Sequence, residues 1–253
     1  MDKQTVLQQL VDMSHYLGDA GRPYAILGEG NTSARIDDDT MYVKASGTCL
    51  ATMTEGDFLE VSIPKVTALL DDPDATDADV AQALRASLLN PGEKRMPSVE
   101  TMMHALLYLH YPEYHFIGHT HPVSTNALMC SVHAHEAALG RLCPDHVVVM
   151  GHKSVYVPYV DPGLVLAREV RARVRRYVED EGVLPKAMLL ENHGLFALGV
   201  NAKAVTNITD MAEKMSKILI GAYSVGGPRF MADTDIRRID SRPDEKYRQK
   251  TIA

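Results

Sequence analysis

Apolar residues recur at helical spacing in four long segments of the chain. Near the beginning, Val6, Leu10, Val11 and Leu17 are spaced in this way and predict a helix over residues 2–18. Three later stretches show the same periodicity, the first of them enclosed by two prolines: SVETMMHALLYLHYP, GLVLAREVRARVRRYVEDEG and AVTNITDMAEKMSKILIGAYSVG.

Shorter apolar or alternating stretches between turn residues predict strands. They are TMYVK, DFLEVS, FIGHT, KAMLL and GLFALG, and HVVVMGHKSVYVPYV predicts two more strands joined by a turn. Three other segments are predicted to be mainly loop. The first, AILGEGNTSARI, is a glycine-rich turn between extended stretches, and the second, residues 71–96, has a helical patch at its centre. The third is the end of the sequence, RRIDSRPDEKYRQKTIA, which is predicted to be irregular or mobile.

Helices and strands alternate without a regular βαβ rhythm, which favours a mixed α/β sheet with flanking helices over a Rossmann fold. The GEGN turn also lacks the GxGxxG spacing of a dinucleotide site.

The composition restricts the classes of protein to consider. With 253 residues and 45% hydrophobic side chains, the chain can form one large domain or two small ones. A formal charge of −7 argues against general affinity for nucleic acid or an anionic membrane. The cysteines Cys49, Cys130 and Cys143 are far apart, without a CxxC pair, and fit a reducing compartment. The first helix contains charges and no apolar run approaches a membrane span, so we expect a cytoplasmic protein without nucleic-acid or membrane partners.

The heptapeptide FIGHTHP at residues 116–122 places two histidines one residue apart in an extended stretch. Side chains alternate between the faces of a strand, so His119 and His121 point the same way. They can hold one metal ion, or they can be polar residues on the wet face of a sheet. His193 lies in the predicted turn of LLENHGLFALG, as a third ligand or an ordinary turn residue. Three histidines leave one coordination position open, as a catalytic zinc requires.

Glu100 lies in the first turn of the helix predicted from Ser98 to His110. A carboxylate at this position is common because the helix dipole stabilises it. It can also be a general base, or a further metal ligand that substrate displaces. The local sequence alone favours the helix-start role.

The other histidines offer weaker candidates. A second H-x-H pair, His133 and His135, falls where the pattern turns helical, and residues two apart do not share a helix face. His146 and His152 flank predicted apolar strands and could line a pocket. A structural role, at the surface or partly buried, is expected for the remaining histidines considered: His15, His104, His110 and His115.

Five short motifs follow one another along the chain: GEGNTS, KASG, PSVE, GHTHP and ENHG. This order resembles the class II aldolase/adducin family, which includes the fuculose-phosphate and rhamnulose-phosphate aldolases, and it extends from about Gly18 to Tyr223. The resemblance implies one α/β domain over residues 1–253, with a core over about 18–223 and a polar tail over 224–253. Its central sheet is expected to be largely antiparallel, with helices on both sides in three layers. Family members typically form tetramers with active sites at subunit interfaces, which implies a homotetramer.

The resemblance also assigns site residues. It implies that a site for zinc or another divalent transition metal is formed by His119, His121 and His193, and that Glu100 is the acid/base carboxylate. It also implies a phosphate-binding pocket formed by Asn31, Ser46, Gly47 and Ser98. The chain departs from the family pattern in three places. Val99 follows Ser98, where sugar-phosphate aldolases often have a second serine, and Glu29 adds a negative charge beside the anion site. The segment LCPDHVVVM contains no tyrosine, whereas some aldolases contribute a tyrosine from this region.

The implied function is a zinc-dependent aldolase that cleaves a small ketose phosphate, or an analogue, by retro-aldol chemistry through an enediolate. Phosphopentose epimerases carry aspartate where this chain has Glu100, which favours an aldolase over an epimerase. Decarboxylation of a keto acid and dehydration or epimerisation of a sugar phosphate are alternatives, because the same groups suit them. A non-catalytic, adducin-like interaction module is a further alternative, against which the retained histidines argue. The expected partners are a small sugar phosphate or keto acid and further copies of the chain.

Overall fold

The architecture is known from a computed structural model, which describes residues 2–252; residues 1 and 253 lie outside the described part. Its strands are β1 (Asn31–Arg35), β2 (Thr40–Lys44), β3 (Phe58–Ser62), β4 (Phe116–Thr120), β5 (Val155–Val157), β6 (Ala187–Leu190) and β7 (Gly194–Gly199). They form one seven-stranded sheet in the order β3-β2-β1-β4-β7-β6-β5. Neighbouring strands are antiparallel except β5 and β6, which are parallel. The predicted single α/β domain is therefore confirmed, with a mixed sheet.

Eleven α-helices surround the sheet in the described part of the chain. They are α1 (Lys3–Gly18), α2 (Ile63–Thr67), α3 (Asp77–Ser87), α4 (Thr101–His110), α5 (Val123–Met129), α6 (Ala134–Leu139), α7 (Pro144–Met150), α8 (Leu164–Glu181), α9 (Ala202–Ser224), α10 (Asp233–Ser241) and α11 (Pro243–Ile252). None of these helices combines the length and apolar character that crossing a membrane requires.

The sheet buries side chains on both faces, which produces three layers. Along β6, Met188 and Leu190 belong to one apolar core, whereas Ala187 and Leu189 belong to the other. This alternation is what a strand covered on both faces requires. Helices α4 and α8 contribute to the first core, and α1 and α9 contribute to the second. Every residue of α4 from position 101 to position 108 is buried, so this helix is held firmly against the sheet.

The segment HVVVM is a helix, so the prediction of a strand there is wrong. Helix α7 begins with Pro144 at a position that suits proline, after an extended Cys143. Asp145 lies in its first turn, where the helix dipole stabilises a carboxylate. Gly151, with φ +76°, ends the helix. These terminal signals and the burial of Val147 and Val148 outweigh the β-propensity of three consecutive valines.

The C-terminal segment is helical, so the prediction of irregular or mobile chain is wrong for its described residues. Ile236 of α10 is buried. Asp240 pairs with His152 Nε2 at 2.8 Å, and Arg248 of α11 pairs with Asp145 at 2.8 Å. Contacts with the segment around α7 thus order two helices whose own sequences are polar, which a local pattern does not reveal.

Candidate metal centre

Strand β4 and the turn between β6 and β7 bring three histidines together. In the ladder between β4 and β7, His119 lies opposite Phe196, and its ring stacks on the phenyl ring with centroids 4.3 Å apart. His121 follows the end of β4, and His193 precedes β7. One ring nitrogen from each of the three histidines lies within 4.8 Å of the others. The structure thus assembles the three predicted ligands, and this is the one such group of potential metal ligands among the described residues.

Hydrogen bonds fix which nitrogens face the shared space. His119 Nδ1 lies 3.1 Å from the carbonyl oxygen of Leu195, so Nδ1 carries the proton and Nε2 carries a lone pair. His121 Nδ1 lies 3.1 Å from a carboxylate oxygen of Glu29, which has the same consequence. The two Nε2 atoms lie 3.1 Å apart. Two lone pairs that face each other at this distance repel, and a cation between them removes the repulsion.

Glu100 directs a carboxylate oxygen into the same space. Its Oε1 lies 2.8 Å from His193 Nε2 and 3.5 Å from His119 Nε2. Burial raises the pKa of Glu100, but the charges and hydrogen bonds that His119 and His193 supply when they are protonated outweigh burial and hold the pKa below its ordinary value. A metal ion held by the neutral rings would supply positive charge at the same place. The carboxylate is therefore ionised when it faces the histidines.

The donor set fits a divalent transition metal. Three imidazole nitrogens and a nearby carboxylate are ligands that zinc and related ions accept. The second H-x-H pair, His133 and His135, contacts other side chains. His133 Nδ1 lies 2.7 Å from Glu136, and the ring of His135 packs edge-on against Tyr156. His119, His121 and His193 can hold a metal ion, and zinc in particular is one of several that suit them.

The backbone around His193 is shaped to admit the cluster. Asn192 adopts φ +53°, a left-handed conformation that asparagine tolerates better than most residues. A Cβ at Gly194 would lie 2.7 Å from His121 Cδ2 and 2.7 Å from the carbonyl oxygen of Thr120. Glycine is therefore required at position 194 for the turn to lie against His121.

A buried hydrogen-bond chain holds the other oxygen of Glu100. Asn31 Nδ2 donates to Glu100 Oε2 at 2.6 Å. This contact requires the amide oxygen of Asn31 to face His104 Nε2, which therefore carries a proton and donates to it. His104 Nδ1 then accepts from the Ser33 hydroxyl at 2.7 Å, and Ser33 also contacts Tyr108. The chain extends from the candidate site into the core.

His104 was predicted to be only structural, on the surface or partly buried, yet it is fully buried and linked to the site. Helix α4 begins at Thr101 rather than at the predicted Ser98, with Glu100 immediately before it. Glu100 and His104 are four residues apart and share a helix face, so this spacing was a usable signal. Burial lowers the pKa of His104 to about 3, which keeps the ring neutral.

Three of the predicted phosphate-binding residues lie near one another. The turn with Ser46 and Gly47 approaches the GEGN turn, since a Cβ at Gly28 would lie 3.7 Å from the carbonyl oxygen of Gly47. A bridge between Ala45 and Pro97 brings Ser98 to the same place. The Ser98 hydroxyl is buried and has no hydrogen-bond partner within the described chain. Asn31, the fourth predicted residue, instead directs its side chain toward Glu100 and His104.

Lys44 is a candidate that the sequence analysis missed. Its side chain is buried and donates to the carbonyl oxygen of Gly28 at 2.9 Å. Burial lowers the pKa of Lys44, and the charge of Glu100 opposes this effect. A lysine at the start of KASG, as the last residue of a strand, was the available signal. It places a cation beside the two glycine-containing turns.

Comparison with known proteins identifies the family. Residues 8–220 match the model described as the Class II Aldolase and Adducin N-terminal domain, and the chain belongs to this family. It is 25% identical over 224 residues to the 3-oxo-tetronate 4-phosphate decarboxylase of Haemophilus influenzae, covering 87% of this chain and 90% of the relative. It is 24% identical over 202 residues to the methylthioribulose-1-phosphate dehydratase of Microcystis aeruginosa, covering 78% and 86%.

A further relative is much longer than this chain. The uncharacterized oxidoreductase YuxG of Bacillus subtilis is 27% identical over 237 residues, which cover 88% of this chain and 32% of the relative. The chain thus spans about a third of that protein.

Solved structures share the fold. The N-terminal class II aldolase domain of a conserved Thermoplasma acidophilum protein superposes with a TM-score of 0.62 and 27% identity, covering 83% of this chain and 92% of that one. An L-fuculose 1-phosphate aldolase superposes with a TM-score of 0.69 over 98% of both chains, at 20% identity. Two of the relatives are thus named as a decarboxylase and a dehydratase, and a solved structure with the same fold is named as an aldolase.

Proposed function

We propose that this protein is a metal-dependent aldolase that cleaves a small ketose phosphate, or a close analogue, by retro-aldol chemistry. One observation carries the proposal: a carboxylate oxygen of Glu100 lies 2.8 Å from His193 Nε2, in the space that His119 Nε2 and His121 Nε2 also face. An ionised carboxylate beside three imidazole nitrogens combines a base with a metal site, which is what proton transfer next to a carbonyl group requires.

His119, His121 and His193 would hold the metal, and we propose zinc. Bound there, a divalent ion would act as a Lewis acid that polarises a substrate carbonyl group. Because Asn31 Nδ2 can only donate, it keeps Glu100 Oε2 as an acceptor. A proton carried by Glu100 therefore resides on Oε1, the oxygen that faces the histidines.

The anion pocket would position the substrate. We propose that Ser46, Gly47 and Ser98 bind the phosphate group, with Lys44 as the nearby cation. Backbone N–H groups in a glycine turn and a free hydroxyl are suitable donors for phosphate oxygens. The buried, unpaired Ser98 hydroxyl supports this assignment within the described chain.

A decarboxylase or dehydratase of the same family is the second candidate. The named relatives favour it, because one is a decarboxylase and one a dehydratase of phosphorylated substrates. Both reactions need a polarised carbonyl group and a proton-transfer residue, so the same side chains suit them.

The wider setting is also part of the proposal. We propose that the enzyme is a cytoplasmic homotetramer in carbohydrate metabolism, which rests on the family resemblance. A monomeric mass in light scattering at micromolar concentration would contradict the tetramer.

Product analysis separates the candidate reactions. Metal-loaded protein is incubated with ketose 1-phosphates, phosphorylated 3-oxo acids and a methylthio-ketose phosphate, and products are followed by mass spectrometry. An aldolase releases an aldehyde and a three-carbon ketone phosphate, a decarboxylase releases carbon dioxide, and a dehydratase releases water. Turnover restricted to carbon dioxide or water release would replace the aldolase proposal with the corresponding alternative.

A further inference from the structure

Glu29 is held at both carboxylate oxygens by the protein. Its Oε1 accepts from the backbone N–H of Ile26 at 2.7 Å, and its Oε2 lies 3.1 Å from His121 Nδ1. The backbone N–H of Glu29 also donates to the carbonyl oxygen of Ile26 at 3.1 Å, so Ile26 and Glu29 are joined by two hydrogen bonds. Leu27, inside this turn, adopts φ +52°, a conformation that non-glycine residues rarely take. The turn therefore sets the position of the carboxylate before any ligand binds.

The contact with Glu29 distinguishes His121 from His119. His119 Nδ1 donates to a neutral backbone carbonyl group, whereas His121 Nδ1 donates to an anion. A hydrogen bond to an ionised acceptor is stronger than one to a neutral acceptor. The side chains of His121 and Glu29 are also partly exposed, at 24% and 33%, so His121 has less packing to hold its ring than the fully buried His119.

We propose that Glu29 is a positioning residue for the metal site: its carboxylate orients His121, presents Nε2 to the metal and strengthens metal binding. The inference rests on the proposed metal-binding role of the three histidines. It also explains the negative charge that the sequence places beside the anion pocket. That charge is engaged with His121 and the Ile26 N–H, rather than left free in the pocket.

The test is the affinity for Zn²⁺ in Glu29 variants, measured by competition with a chelating dye. Removing a partner that orients a ligand typically weakens metal binding about 10–100-fold, and we expect this loss in Glu29→Ala. Glu29→Gln preserves the volume of the side chain, but its amide cannot accept from both Ile26 and His121, so it also binds zinc more weakly than wild type.

Glu136→Ala is the matched control, because it removes a carboxylate that contacts His133 Nδ1 at 2.7 Å, away from the cluster. It should bind zinc as wild type does. Wild-type zinc affinity in folded Glu29→Ala, with an unchanged melting temperature, would overturn the inference. The readout needs no substrate, so a wild-type protein that binds zinc but performs no lyase reaction would refute the proposed function while leaving the Glu29 inference standing.

Discussion

The side-chain amide of Asn31 joins Glu100 to His104: it donates to Glu100 Oε2 at 2.6 Å and accepts from His104 Nε2. His104 itself is fully buried and lies one helical turn beyond Glu100. Its effect on the site must therefore act through Asn31. Removing the His104 donor leaves the amide free to rotate and to present its oxygen to the carboxylate.

We predict that His104→Phe lowers kcat more than it changes KM. The substitution leaves Asn31 Oδ1 without its donor, at a cost of about 1–3 kcal/mol of stability, and it loosens the hold on Glu100. His104→Gln can still donate to Asn31, so it should restore much of kcat. The measurement is the kcat and KM of both variants with the substrate found by product analysis. An equal loss of kcat in both would assign His104 a role in packing only.

We predict that Glu100→Gln remains folded and retains its metal but loses turnover. A general base typically contributes roughly 10²–10⁴ in rate, whereas a carboxylate that only starts a helix contributes well under about 1 kcal/mol to stability. Metal content, melting temperature and rate should be measured on one preparation. Near-wild-type turnover would return Glu100 to a structural role and assign proton transfer to another group.

Local patterns predicted the clustered histidines better than the groups that contact them. His119 and His121 follow from strand alternation, and His193 from the turn between two apolar strands. The place of Asn31 does not follow from local sequence, because it depends on the register in which β1 lies against β4, with Asn31 opposite His119. That register is set by the packed sheet, so spacing along the chain does not reveal it.

Tertiary contacts explain the remaining errors in the fold. The valines of α7 satisfy a strand pattern equally well, and only the helix termini and burial decide between the two. Helices α10 and α11 depend on pairs such as Asp240 with His152, between residues 88 positions apart. No window of local sequence contains both partners.

We predict that Gly194→Ala destabilises the fold and weakens metal binding. The added Cβ would lie 2.7 Å from both His121 Cδ2 and the Thr120 carbonyl oxygen, so the turn or the ring must move. Overpacking of this kind typically costs about 1–3 kcal/mol. Gly221→Ala is the control, since a Cβ there meets nothing within 4 Å. Urea denaturation and zinc affinity measure both effects, and wild-type values for Gly194→Ala would contradict the account of this turn.

We predict that His146 makes the fold less stable in mild acid. Burial and, secondarily, the charge of Arg141 lower the pKa of His146 well below 6.5, its ordinary value. The unfolded chain therefore takes up a proton below about pH 6.5 that the folded chain excludes. The contribution of His146 to the free energy of unfolding is complete above this pH. It falls by up to about 1.4 kcal/mol per pH unit as the pH drops toward the pKa of His146 in the folded chain.

The check is urea denaturation of wild type and His146→Gln across this range. The glutamine does not titrate, and its amide oxygen can accept from the Leu142 N–H that His146 Nδ1 accepts in the structure. The variant should lose less stability than wild type on acidification. Parallel curves for the two proteins would show that His146 does not contribute.

The metal content per chain tests the central claim most directly. Purified wild-type protein, the single variants His119→Ala, His121→Ala and His193→Ala, and the controls His133→Ala and His135→Ala are equilibrated with Zn²⁺, freed of excess ion and analysed by mass spectrometry of the element. We predict one divalent ion per wild-type chain, the same in both controls, and loss of most of the metal in each of the three variants. Retention of the metal in those three variants, or its loss in the controls, would contradict the site.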